Sequence, residues 1–281
     1  MSTALHWAAL ACYLAGTVVY LSFVLWQRQR LHAWGQAVLW AGLALHTLAL
    51  AAAWMEGGTV PAVSLRQFLD VFSWGIMAAA LFINLKLRVM ILGALTAPLC
   101  SLLLLGAWVL PSPADPPSAL MASIWVVIHV VAMLIGYGLL ALTFLGGILY
   151  LIQENLIRAK RLGAAFKRLP SLSRVDELCQ RALVAGFTAF TLGMISGAIY
   201  GQVALGSYWR WDPKEVWSLI TWLFYAALLH TRLTRGWRGR RGAWLAVIAF
   251  GVLMFTFIGA GLLFPGYHNF ATITSLTGPP Q

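Results

Sequence analysis

Acidic residues are scarce in this sequence: eight Asp and Glu stand against nineteen Lys and Arg, and charged residues make up only 10% of the 281. With 61% hydrophobic residues and a mean hydropathy of +0.82, that scarcity excludes a single soluble domain and points to a polytopic membrane protein. Cysteine is nearly missing as well. Cys12, Cys100 and Cys179 lie far apart with no Cys-x-x-Cys pair, which removes a thiol redox motif and a zinc site; they read as small core residues, with Cys179 at an interface. No P-loop, dinucleotide glycine fingerprint, repeat or low-complexity tract occurs, so nothing couples ATP hydrolysis to transport. The spans hold almost no acid beyond Asp70 near one end, which argues against a simple ion channel or pump. A basic n-region is absent from Met1 to His6, so the first apolar run is expected to be a retained helix, not a cleaved signal.

What is present is a series of long apolar runs, near 5 to 26, 36 to 55, 68 to 85, 89 to 110, 120 to 152, 181 to 205, 216 to 233 and 243 to 264. The expected fold is an all-α membrane helix bundle of about eight transmembrane helices, one integral membrane domain over 1–281. Placing the 27 to 35, 86 to 88, 153 to 181 and 232 to 241 connections on one side gathers sixteen of the nineteen Lys and Arg there. Only Arg66, Arg210 and Lys214 are left on the other. By the positive-inside rule the basic side is cytoplasmic and both termini lie on the outer, periplasmic side. The net charge of +11 is then a topology device and a contact for anionic membrane lipids, with no call for nucleic acid.

The outer connections, Glu56 to Gln67, Pro111 to Pro117 and Tyr200 to Val216, are short and rich in turn residues, so no soluble domain is appended. The longest inner one, Gln153 to Arg181, mixes basic residues with Leu162, Phe166 and Leu169 and predicts an interfacial amphipathic helix ending at Pro170. Gly136, Gly138, Gly146 and Gly147 in the fifth span, and Gly186, Gly193 and Gly197 in the sixth, predict close helix packing.

The outer segment from Gly206 to Trp217 concentrates Tyr208, Trp209, Trp211 and Trp217 between two apolar runs. Such rings make a platform for a flat ligand, or an ordinary interfacial aromatic belt. His129 and His268 fall on the same side and at similar depth. Two histidines flanking an aromatic platform are what a haem site requires, with imidazole nitrogens as axial iron ligands. His46 near mid-span and His230 in the inner part of the seventh run are ionisable residues inside the membrane, hence candidates for a second, transmembrane site. His6 and His32 look interfacial. Asp212, Pro213 and Glu215 are placed to cap and start the seventh helix. Arg210 and Lys214 are available either for haem propionates or for Asp212 and Glu215. No dedicated acid, base or nucleophile stands out.

The string Trp209-x-Trp211-Asp212-Pro213-Lys214-Glu215-x-Trp217-Ser218-Leu219-Ile220-Thr221-Trp222 resembles the tryptophan-rich WWD signature of the System II cytochrome c assembly family. The resemblance extends through Tyr225 to His230, Gly236 to Arg241 and Phe264 to His268, and covers the His129 span with Gly136-Tyr137 and Gly146 to Tyr150. It implies a haem-handling protein that, with a CcsB/ResB-like membrane partner, moves haem b across the cytoplasmic membrane to the outer face and presents it for attachment to an apocytochrome c carrying Cys-x-x-Cys-His. On the same footing His129 and His268 match the outer haem ligands of the WWD domain and His230 a transmembrane ligand. The second transmembrane ligand in that family comes from the partner, which leaves His46 without a counterpart. Tyr208 stands where many members carry tryptophan, and Arg66 to Asp70 where an acidic helix start is usual. Three readings stay open: a cytochrome c synthase (haem lyase) acting with its partner, a haem transporter or chaperone without that chemistry, and a HemX-like regulatory membrane protein of tetrapyrrole synthesis. The expected home is the bacterial cytoplasmic (inner) membrane, although a thylakoid membrane satisfies the same argument.

Overall fold

The computed structural model describes residues 1–58, 64–87, 89–111, 123–160, 163, 166 and 169–264, and these build long helices without a strand. They are α1 (Ser2–Trp26), α2 (Gln29–Gly57), α3 (Leu65–Leu87), α4 (Leu92–Val109), α5 (Ile124–Arg158), α6 (Leu172–Leu205), α7 (Pro213–Thr234) and α8 (Arg240–Met254). A π turn, Phe255–Gly259, carries α8 on to Ala260–Leu263 as one 24-residue span. Polar punctuation sets the ends. Ser123 and Ser171 accept from backbone amides at the starts of α5 and α6, and Gly58 and Gly206 close α2 and α6 in the left-handed conformation.

Among the described residues seven helices are long and apolar enough to cross a membrane, making this an integral membrane protein; the expected seventh span, now α7, is not among them. Its Trp, Ser, Thr and Tyr residues and His230 dilute the apolar run. Its neighbours nevertheless show that it runs the length of the bundle. At its start Trp217 meets Phe255 and Thr221 meets Thr256 at the end of α8, whereas near its finish Arg232 pairs with Asp176 at the start of α6.

The eight helices alternate in direction. The starts of α1 and α3 and the ends of α2 and α4 share one end of the bundle, through Met1–Glu56 at 3.4 Å, His6–Asp70 at 2.8 Å and Arg66 on the Leu110 carbonyl at 3.2 Å. Lys214 over the Phe68 ring at 4.8 Å, and Phe257 against Phe68 and Phe72, bring the start of α7 and the finish of the α8 span to that same end. The tryptophan loop and the N-terminus therefore share a face. Arg66, Arg210 and Lys214 are the Lys and Arg side chains there among the described residues, as expected. At the opposite end Glu154 takes Arg158 at 2.8 Å and Arg240 at 3.2 Å.

Helix α5 is the hub, packed on α3, α6 and α8. Its glycines make this possible: a Cβ on Gly138 would stand 2.5 Å from the Gly75 carbonyl of α3, and one on Gly136 would stand 2.9 Å from the Phe190 amide of α6. Helices α5 and α6 run 35 and 34 residues, about 50 Å each, and so overshoot a bilayer core. They absorb both ends of the inner connection, leaving 159–171; the interfacial helix expected there falls largely on 161–168, mostly outside the described residues.

Candidate functional site

At the tryptophan end, Gly206 reverses the chain and Ser207 pins it, donating to the Trp209 carbonyl at 2.8 Å. Helix α7 then starts with a full capping box: Asp212 accepts from the Lys214 amide at 2.9 Å, and Glu215 accepts from the Asp212 amide at 3.4 Å. Glu215 also accepts from the Arg210 amide at 2.8 Å and from Arg210 Nη2 at 3.0 Å. The alternative partner for Arg210 is the one the fold uses. Lys214 lays its ammonium over Phe68.

The four aromatic residues do not form one plane. Tyr208 and Trp211 are 63% and 78% exposed, and Trp211 holds a left-handed φ of 61° that is costly for so bulky a residue. Trp209 is half-buried and edge-on to Trp211 at 5.8 Å. Trp217 instead packs on Phe255 at 4.4 Å, because Pro213 has already started α7 and its second turn faces the α8 span. The Thr256 hydroxyl inside the π turn donates to the Trp217 carbonyl at 3.1 Å and meets Thr221 Oγ1 at 2.7 Å. The outward platform is thus Tyr208, Trp209 and Trp211, with Trp217 as its buttress.

His129, in the second turn of α5, is half-buried against α6. Its Nδ1 donates to the Gly193 carbonyl at 2.7 Å, and Gly197 leaves room for the ring, since a Cβ there would lie 2.6 Å from Nδ1. A carbonyl only accepts, so the neutral ring keeps its lone pair on Nε2, the tautomer a metal ligand needs. His268, its expected partner, lies outside the described residues. His230 is exposed on the face of α7 that also shows Leu223 and Leu233, about 26 Å along the helix from Pro213. The fold therefore does not bring it to the His129 end.

His46 is fully buried and has both nitrogens engaged, Nδ1 with the Tyr13 hydroxyl at 3.2 Å and Nε2 with Asp70 Oδ1 at 2.9 Å. Sequence spacing missed its companions. His6, read as interfacial, is 4% exposed and shares the Asp70 carboxylate, roofed by Trp108 at 5.3 Å. The signal that finds them is the cost of an ionisable group inside a span, which asks for a partner: His46 and Asp70 both fell in apolar runs.

Known proteins resemble this chain over most of its length. Residues 62–268 match the family model described as Cytochrome C assembly protein. The chain is 33% identical over 247 residues to the "Cytochrome c biogenesis protein CcsA" of Guillardia theta, covering 80% of this chain and 81% of that one. It is 32% identical over 279 residues to the protein of that name from Synechococcus elongatus, covering 82% and 86%. A solved structure titled "Cytochrome c Heme Lyase CcmF" shares the fold with a TM-score of 0.64 at 19% identity, covering 98% of this chain and 50% of its own length.

Proposed function

The chain belongs to the cytochrome c assembly protein family, and from that premise we propose that it acts in cytochrome c maturation by presenting haem to apocytochrome c at the tryptophan end. The observation that carries the reading is His129: its Nδ1 is held by the Gly193 carbonyl, which puts the lone pair of the neutral ring on Nε2, and the residue sits in the second turn of α5, at the end of the bundle that carries the exposed Tyr208 and Trp211. Haem b is the substrate. His129 and His268 are its outer axial ligands, and Tyr208, Trp209 and Trp211 the surface against its ring, buttressed by Trp217. Asp212 and Glu215 hold the loop in shape, and Lys214, with Arg210 behind it, is the cation offered to the propionates.

The covalent step is an addition. Each thiol of an apocytochrome Cys-x-x-Cys-His segment adds across a vinyl group: sulfur bonds to one vinyl carbon, the thiol hydrogen goes to the other, and nothing is oxidised or reduced. Alignment supplies the rate, with the peptide histidine displacing one outer ligand and aiming the thiols. His230 serves an earlier stage. Its exposed position on α7 suits a ligand whose opposite number comes from another chain, and a CcsB/ResB-like membrane protein is the partner proposed. The basic end faces the cytoplasm and the tryptophan loop the outside of a bacterial inner membrane.

The test is co-expression with a CcsB/ResB-like protein and an apocytochrome c, scoring covalent haem and the visible spectrum of the purified protein. Joint replacement His129→Ala and His268→Ala should abolish attachment with the protein still inserted; attachment that persists overturns the scheme. Haem bound normally but never attached, with apocytochrome present, would make the chain a transporter without synthase chemistry.

A further inference from the structure

Away from the tryptophan loop, three side chains from three helices converge in the bundle of α1 to α4. His6 Nε2 and His46 Nε2 stand 2.8 and 2.9 Å from the two oxygens of Asp70, and their ligating atoms all lie within 4.8 Å of one another. All three residues are buried, at 4%, 0% and 8% exposure. Each imidazole is steered from its far nitrogen. His6 Nδ1 lies 2.8 Å from the Ser2 carbonyl, and His46 Nδ1 3.2 Å from the Tyr13 hydroxyl. That is how a protein orients histidine ligands, holding each ring from behind so that the other nitrogen points inward; the Ser2 carbonyl also fixes the His6 tautomer, whereas the Tyr13 hydroxyl serves either tautomer of His46.

His6 shows that something positive belongs between these groups. The Ser2 carbonyl can only accept, so Nδ1 carries a proton and, in the neutral ring, Nε2 holds a lone pair. That lone pair faces a carboxylate, and Nε2 forms no hydrogen bond despite the 2.8 Å approach. The nearby cation does not fill the role: Arg66 is turned away, its guanidinium 4.1 Å over the Trp108 ring and Nη1 on the Leu110 carbonyl. A second proton on His6 would satisfy the pair, and so would a metal ion.

We propose that His6, His46 and Asp70 form a binding site for one divalent first-row transition metal, of which zinc is the reference ion. Two imidazoles and one carboxylate are the donors such ions select, and three protein ligands leave a fourth position open. Two neutral histidines and one carboxylate leave the bound ion with a net charge of one, tolerable in a buried site where a bare dication is not. The site is separate from the haem reading and does not depend on it.

The experiment uses the full chain in detergent, purified without haem through a tag lacking histidine and stripped with a chelator. Zinc alone is titrated by equilibrium dialysis with elemental analysis, and cobalt alone by its visible spectrum. About one zinc per chain is expected in the wild type and in a control carrying His129→Ala and His230→Ala. Asp70→Asn, His6→Gln and His46→Gln should each weaken binding by tenfold or more, and Tyr13→Phe, which acts only through His46, by about tenfold. Size-exclusion profiles report folding; if Asp70→Asn fails to fold, the two glutamine variants decide. No zinc in the wild type, or zinc retained by the folded variants, overturns the proposal and leaves a proton-bridged cluster.

Discussion

Glu215 binds Arg210 twice, through its backbone amide at 2.8 Å and its guanidinium at 3.0 Å, while also completing the cap of α7. One carboxylate thus holds both the approach to the helix and its first turn. Glu215→Ala should lower stability by about 1–3 kcal/mol, because it strips a cap and removes the carboxylate that the Arg210 amide and guanidinium both use. Thermal unfolding in detergent measures it. Arg210→Ala combined with Glu215→Ala should cost less than the two single losses added together.

Trp211 is the residue where stability and activity should part. Its φ of 61° is disfavoured by any Cβ, so Trp211→Gly is expected to leave stability unchanged or raise it by about 1 kcal/mol. The same change removes the most exposed ring of the platform, and cytochrome c maturation should fall sharply. A variant both less stable and fully active would refute this separation.

The seat of His129 gives a prediction that leaves the histidine in place. Gly197→Ala puts a methyl group 2.6 Å from Nδ1, so the ring must leave the Gly193 carbonyl. Haem bound at the outer site should lose the spectrum of the wild type although His129 is present. An unchanged spectrum would mean that the ring position is immaterial.

Two glycine substitutions with opposite expectations test the packing around α5. Gly138→Ala drives a methyl into the Gly75 carbonyl and should cost about 1–3 kcal/mol, whereas Gly106→Ala, with nothing within 4 Å of the new atom, should be neutral or mildly stabilising. Unfolding midpoints of the pair decide.

How far the sequence could be read depended on distance along the chain. The Asp212-Pro213-x-Glu215 cap was legible because its partners sit within one helical turn, and the close-packed glycines because small residues at helical spacing have few other uses in a membrane. The His6–Asp70–His46 cluster was not, since it joins three helices, with His46 and Asp70 24 positions apart and His6 and Asp70 much farther. Proximity in sequence groups Trp217 with Tyr208, Trp209 and Trp211, whereas helix phase turns it onto Phe255. α7 shows the reverse: its apolar run was legible, yet only its contacts with α6 and α8 reveal that it runs alongside them.

The π turn at Phe255–Gly259 has a geometric effect beyond its contacts with Trp217. It amounts to a single residue slipped into a helix, and one residue is about 100° of screw rotation. Ala260–Leu263 therefore leave the membrane pointing a quarter-turn away from where an unbroken α8 would send them. Deleting one residue there would keep the span apolar, long and inserted, and would redirect the exit of the chain like a key cut one notch out of phase.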